Sequence, residues 1–406
     1  MKVTIIVGGR FHAFDLAAHL HRKGVLHRLI TNYPRFGTRR WKIPDDRVVS
    51  LPSTLLAGRM MSKISPKLVQ KAQYRLSRWF AGSAVRHLDG SDLVVAWSSF
   101  AEPAVRWANH HGVPSLVERG SAHILDQDEL LRQEHQLLGL PWSGIDPNII
   151  AMELQEYDAC TQISIPSRFV ERSFVRRGVA PARIFRNPYG ADLGSFQPPR
   201  RPPDAPSRDC LHAIFAGNLS LQKGTHYLLR AFAESRRANW RLTLLGAISA
   251  ESRRWVEPAP PGVAALGHRR QDELASIYAT AHCFVMPSIQ EGLAMVQVQA
   301  LACGLPLIAT TNTGGEDLLR LNGEQGVSRE CDVTEFPAGF VVPIRRPDSI
   351  AWCLRHLAVN SDLWRKMREA ALGLANASLS WAHYGDRALL RYHSLLKRDD
   401  SPIDSQ

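Results

Sequence analysis

The chain has 406 residues, 45% apolar and 22% charged, an ordinary globular balance with room for two or three domains. No stretch approaches the roughly 18 unbroken apolar residues of a membrane span. The first apolar run, Val3 to Val7, is too short for a signal sequence, so the protein is expected to stay in the compartment where it is made. Six cysteines (Cys160, Cys210, Cys283, Cys303, Cys331 and Cys353) show no CxxC or Cys/His ligand spacing, which points to a reducing cytosol without disulfides or structural zinc. The net charge of +12 is uneven: residues 1–90 hold 17 Lys/Arg against 4 Asp/Glu, and the remainder holds 33 against 34. The basic excess therefore sits at the front, where it suits a membrane surface, a phosphorylated acceptor or nucleic acid.

In chain order, Lys2 to Val7 reads as a buried parallel strand ending in the glycine turn Gly8-Gly9-Arg10. A helix over Ala13–Arg22, with Gly24 as its C′ residue, leads to a second strand, Leu26–Thr31, completing a βαβ opening. A basic helix is expected over residues 65–80, where Lys63, Lys67, Lys71, Arg75 and Arg78 recur at three- and four-residue spacing. That stripe is either a solvated face or a surface for an anionic bilayer, worth about 1 kcal/mol per cation. Further buried strands are expected at Leu93–Trp97, Ser115–Glu118 and Gln162–Pro166. The proline-rich stretch from Gln197 cannot continue a helix or central strand and reads as a stiff linker. The alternation then restarts, with strands at Leu211–Ala216, Arg241–Leu245, Cys283–Met286 and Pro306–Thr310 and helices at Thr225–Ser235, Asp272–Thr280 and Ala294–Cys303. A last helical run, Trp381 to Leu396, is placed to return across the hinge.

The most informative segment runs from Pro287-Ser288 through Glu291-Gly292-Leu293-Ala294 to Gln299 and the Cys303-Gly304-Leu305-Pro306 turn. A strand ends there and a helix starts, and the free N–H groups of a helix start hold phosphate. Glu291 lies just before that start, where a carboxylate can accept from sugar hydroxyls. A second segment, Gly217-Asn218-Leu-Ser-Leu-Gln-Lys223-Gly224, follows the first strand of the second half. A third, Ser167-Arg-Phe through Gly178, leads to Asn187-Pro188-Tyr-Gly190-Ala-Asp192 before the linker. Together these segments resemble the retaining glycosyltransferases of family 4, which have the GT-B fold. The resemblance covers residues 167–306, with a weaker terminal match around Trp381 and Tyr384.

The resemblance implies an α/β protein with two Rossmann-like domains facing each other across a cleft. The expected divisions are an acceptor-side domain at 1–196, a linker at 197–210, a nucleotide-sugar-binding domain at 211–375 and a crossing helix at 376–406. It implies that Glu291 contacts the donor sugar and that Lys223 stabilises the leaving diphosphate. Gly217, Asn218, Gly224, Gly292, Leu293 and Ala294 would line the donor site, with His268 beside the base. Two positions depart from the pattern. Gln299 stands where the family has a ribose-binding glutamate, so a neutral hydrogen bond of about 0.5–1.5 kcal/mol replaces a charged one of about 1.5–3 kcal/mol. Asn218 stands where an arginine is frequent. In the acceptor half, Gly8, Gly9, Arg10, Trp97 and Glu118 are expected to line the cleft, and Arg119 and His123 to assist catalysis. A helix-start histidine with a structural hydrogen bond is the other reading of His123.

The expected activity is transfer of a sugar from a nucleotide-diphosphate-sugar to a glycan or lipid-linked acceptor with retention, as in surface polysaccharide assembly. The expected setting is cytoplasmic, at the inner membrane face. No DxD-like motif ends a strand, so no bridging metal and no cofactor are implied. A GT-B epimerase or phosphorylase shares the fold and is the nearest alternative. A non-catalytic nucleotide-sugar-binding protein is another, given Gln299. Gly8-Gly9-Arg10 lacks the GxGxxG spacing of a dinucleotide site, and the basic region lacks a recognised nucleic-acid module.

Overall fold

The computed structural model of the protein describes residues 1–321 and 323–397. Fifteen strands make two sheets among these residues. The first sheet holds β1 (Val3–Val7), β2 (Leu26–Thr31), β3 (Val48–Ser50), β4 (Leu93–Trp97), β5 (Ser115–Glu118), β6 (Gln162–Ile165) and β7 (Ile184–Arg186). Their order is β3-β2-β1-β4-β5-β6-β7, and every pair is parallel. The second sheet holds β8 (His212–Ala216), β9 (Arg241–Leu245), β10 (Val263–Ala265), β11 (Cys283–Met286), β12 (Leu307–Thr310), β13 (Val327–Ser328), β14 (Thr334–Phe336) and β15 (Gly339–Val342). Its order is β10-β9-β8-β11-β12-β15-β14-β13, parallel except for the β13-β14-β15 meander.

The helices of the first half are α1 (Ala13–Arg22), α2 (Ser53–Ile64), α3 (Pro66–Ala84), α4 (Glu102–His110), α5 (Ile124–Leu137), α6 (Pro147–Ala159) and α7 (Arg168–Arg176). Those that follow are α8 (Thr225–Ser235), α9 (Arg253–Val256), α10 (Gln271–Tyr278), α11 (Met295–Ala302), α12 (Gly315–Leu319), α13 (Pro347–Val359), α14 (Ser361–Ser378) and α15 (Trp381–Lys397). The central strands read as apolar runs because helices cover both faces of a parallel sheet: β1, β4, β5 and β6 are buried throughout. Side chains of opposite parity then feed two cores. Ile6, Val94, Val117 and Ile163 pack on one face, while Val3, Ile5, Val7, Leu93 and Val95 pack on the other. The second cluster continues through Tyr189, Ala191 and Phe196, and through Tyr384 and Tyr392 of α15, into the core of the second sheet.

In each sheet the chain leaves one strand in one direction and returns on its other side, between β1 and β4 and between β8 and β11. The loops after those strands therefore diverge and leave a crevice at the carboxyl edge, where ligands of open α/β sheets bind. The halves are tied at the hinge, where the Ala191 N–H donates to Leu379 O at 2.8 Å. Gly190 is required there, since a Cβ would lie 2.5 Å from the Ser380 carbonyl carbon. Farther along, α15 packs on α1, with Gly385 against the His19 ring and His19 Nε2 3.0 Å from Asp386.

The expected basic helix over residues 65–80 is α3, but Lys63, the first cation of its stripe, lies on α2. Ser65 is extended (φ −162°, ψ 131°), as the ring of Pro66 requires of the residue before it. Lys63 thus ends α2, whereas Lys71 and Arg75 are exposed on α3, and Arg78 contacts the buried Glu102. The single five-cation stripe is broken, and the side chain of Lys67 lies outside the described ones. The short strands β3, β7, β10 and β13–β14 carry too few apolar residues in period to be read from sequence.

Candidate active site

Lys223 and Glu291, 68 residues apart in sequence, are in direct contact. Each comes from the loop after one of the two strands that flank the second switch point, β8 and β11. Backbone geometry forces the meeting. Gly224 has φ +64°, and a Cβ there would lie 2.0 Å from Pro287 O, so only glycine lets the two loops touch. The Ile289 N–H donates to Gln222 O at 2.9 Å, and the Glu291 N–H donates to Asn312 O at 2.9 Å. Gly217, at φ +149°, opens the turn, and its N–H donates to Leu245 O. Both ionic side chains are about a fifth exposed (19% and 20%), so a ligand can reach the pair.

Helix α11 begins beside this pair. Ala294 is its N-cap without a side-chain cap, which leaves the N–H groups of the first turn free of one. Gln299, one turn farther on, is half-buried, and its Oε1 is buried without a hydrogen-bond partner among the described residues. A buried carbonyl oxygen of this kind is costly unless a donor reaches it. Leu293 is buried under the loop, and Gly314 fits closely against it. His268 is exposed on the loop after β10, where Gly267 O accepts from the Gly246 N–H at 2.9 Å.

The first half meets this loop directly. A Cβ on Gly292 would lie 2.1 Å from Gly120 O, so backbone touches backbone there. Ser167 Oγ donates to Gly292 O at 2.6 Å, and Gln290 Nε2 donates to Ser121 Oγ at 2.5 Å. The Arg168 N–H reaches both oxygens of Asp317 at 3.0 Å. Burial pushes the Asp317 carboxyl up to about 6, against those backbone bonds and the nearby Arg186 and Arg168. Across the same divide, Glu134 of α5, fully buried, accepts from Arg345 Nε at 2.7 Å and lies 3.0 Å from His226 Nε2 on α8.

The acceptor-side residues divide into two groups. Gly8 and Gly9 follow β1 as expected; Gly8 packs against Phe100, and the Gly9 N–H donates to Asn32 Oδ1 at 2.9 Å. Arg10 is exposed, with its guanidinium 5.7 Å from the Trp41 ring centre. Trp97 and Glu118 end β4 and β5 and are buried in a cluster centred on His12. The His12 ring lies 4.2 Å from Tyr189 and 5.4 Å from Tyr384, and its Nε2 is 3.7 Å from Glu118, with no hydrogen bond among the described residues. Tyr384 Oη donates to Glu118 at 3.3 Å. Nothing in the sequence window singles out His12, because its partners come from α15 and the hinge.

Arg119 and His123, expected to assist catalysis, are both held in contacts within the first half. Arg119 is buried and its donors are taken by Glu153, Gln127 and Ala122 O, at 3.0, 2.7 and 3.1 Å. It shapes the 119–122 turn from inside. His123 caps α5 through Nδ1, which accepts from the Leu125 N–H, and its ring packs on Tyr157 and Phe174. Burial lowers its pKa to about 4, so the ring is neutral near pH 7. Behind them, Glu156 accepts from the N–H groups of Ser99, Ala101 and Glu102; burial, then the Glu153 carboxylate, pushes its pKa up to about 8.

Residues 211–360 match the family model described as Glycosyl transferases group 1. In sequence the chain is similar to the D-inositol 3-phosphate glycosyltransferase of Paenarthrobacter aurescens, 31% identical over 166 residues, or 36% of this chain and 39% of that one. The matches span about a third to a half of the length of the curated relatives. In structure it is similar to the sucrose-phosphate synthase of Thermosynechococcus elongatus, with TM-score 0.70 and 17% identity over 98% of this chain and 100% of that one. The Anabaena protein HepE, solved in complex with UDP, superposes with TM-score 0.65 and 15% identity over 97% and 100%. The two sheets and their facing carboxyl edges are the GT-B fold.

Proposed function

We propose that the chain is a retaining, metal-independent glycosyltransferase that moves a hexose from a nucleotide-diphosphate-sugar to a glycan or lipid-linked acceptor. The observation that carries this reading is the meeting of Lys223 with Glu291 beside the start of α11, inside a group 1 domain. Donor diphosphate enters between them. Lys223 and the first N–H groups of α11 take the charge that grows on the leaving oxygen, which stabilises the transition state more than the ground state. Freed from the lysine, Glu291 accepts from hydroxyls of the donor sugar. Gln299 Oε1 takes a ribose hydroxyl, which satisfies an otherwise unpaired buried atom. His268 and the turn at Gly267 lie against the base.

The acceptor approaches from Gly8, Gly9 and the β4 and β5 ends, and its hydroxyl is deprotonated by the departing diphosphate on the front face of the sugar. Glycosidase chemistry would need two carboxylates flanking the bond, and Glu291 has a lysine for its neighbour. The setting is surface glycan assembly at the cytosolic membrane face. Thermal shift against UDP, GDP, ADP and NAD, with wild type and Lys223→Ala, tests the reading. A nucleoside diphosphate at 100 times its Kd adds about 2.7 kcal/mol, and Lys223→Ala should lose most of it. Stabilisation by NAD alone, or an equal shift in the variant, refutes the proposal.

A further inference from the structure

The carboxyl ends of β1, β2 and β3 lie side by side, as the Gly9 N–H bond to Asn32 and the Ser50 Oγ bond to Tyr33 O record. Each end is followed by large apolar side chains turned to solvent. Phe11 follows β1 and is 56% exposed; Phe36 follows β2 and is 74% exposed. After β3, α2 exposes Leu56, Met60 and Ile64 at 54%, 70% and 77%. The four-residue spacing puts these three on one stripe, while Gly58 on the opposite side faces Leu76 of α3. An apolar stripe opposite the packed face is not core packing.

Cations flank every one of these residues. Arg10, Arg35, Arg40, Arg59 and Lys63 are all exposed beside them. Residues 51–88 hold seven Lys/Arg and no Asp or Glu. A protein partner would have to supply both an apolar groove and a large acidic surface. An anionic bilayer supplies both at once, acyl chains for the stripe and headgroup phosphates for the cations.

We propose that α2, with the loops after β1 and β2, docks the protein in-plane on an anionic lipid bilayer. Resting on the glycosyltransferase reading, this places the acceptor edge at Gly8 and Gly9 against the surface from which a lipid-linked acceptor is delivered. The broken stripe of α3 contributes only long-range attraction through Lys71 and Arg75.

The test is co-sedimentation with phosphatidylcholine vesicles, with and without roughly a third phosphatidylglycerol, at low and high salt. Wild type is expected to bind only the anionic vesicles, and less at high salt. The double variant Met60→Asp/Ile64→Asp changes two exposed side chains and should cut binding at least about tenfold. Its melting temperature and its shift with nucleoside diphosphate should stay as in wild type, which separates this outcome from a failure of the donor-site reading. The proposal is overturned if wild type stays in the supernatant or if the double variant binds equally. It is also overturned if wild type is a dimer that the same substitutions dissociate.

Discussion

Glu134 ties the two halves through a buried carboxylate, and its removal should be measurable as an opening of the cleft. The carboxylate is fully buried on α5, while its partners His226 and Arg345 belong to the second half. Breaking one side of a buried charged pair costs about 3–5 kcal/mol. Arg345 is 23% exposed and can be rehydrated, so about 2–3 kcal/mol is expected for Glu134→Ala. Glu134→Gln keeps the shape and one acceptor, and about 1–2 kcal/mol is expected. Because these contacts form only when the halves meet, the loss biases the open arrangement by roughly 5- to 30-fold for Gln. If donor binds the closed arrangement, its apparent Kd should rise by up to that factor, read by isothermal titration, while small-angle scattering shows a larger radius of gyration. Burial pushes the Glu134 pKa up, but hydrogen bonds from His226 and Arg345 outweigh it and hold the carboxyl below 4.5. A depressed acid contributes stability above its unfolded value, lost as pH falls through the folded one. The difference between wild type and Glu134→Gln should therefore vanish in acid, below pH 4.5. An alanine variant with unchanged scattering, melting temperature and donor affinity would falsify the clamp.

Two further outcomes follow from the same geometry. Gln299→Glu restores a charged acceptor at a buried position: the nucleotide-free protein should melt lower, and affinity for the nucleoside diphosphate should gain about 1–1.5 kcal/mol by titration calorimetry; an unchanged affinity would remove Gln299 from the ribose site. His123 is held neutral, with its pKa lowered from 6.5 to about 4, so its contribution is complete above pH 6.5 and declines as pH falls toward 4. His123→Asn, which can still cap α5, should flatten the fall of melting temperature across that window, and an unaltered slope would mean that another group titrates there.

Sequence alone determined the features that need only a local window. The apolar runs of β1, β4, β5, β8 and β11 announce buried parallel strands. Lys223 and Glu291 were legible as site residues through the family resemblance of the two segments that carry them. Tertiary structure decided everything that depends on which face meets which. Arg119 and His123 sit at the right strand end, yet side chains from α6 and α7 enclose them. His12 gains its surroundings from β4, the hinge and α15, up to 372 residues away in sequence. Pro66 was visible, but only packing of α2 through Gly58 shows that Leu56, Met60 and Ile64 face outward. Local preference fixes where the chain turns; burial, which depends on distant partners, fixes which side chains remain free for chemistry.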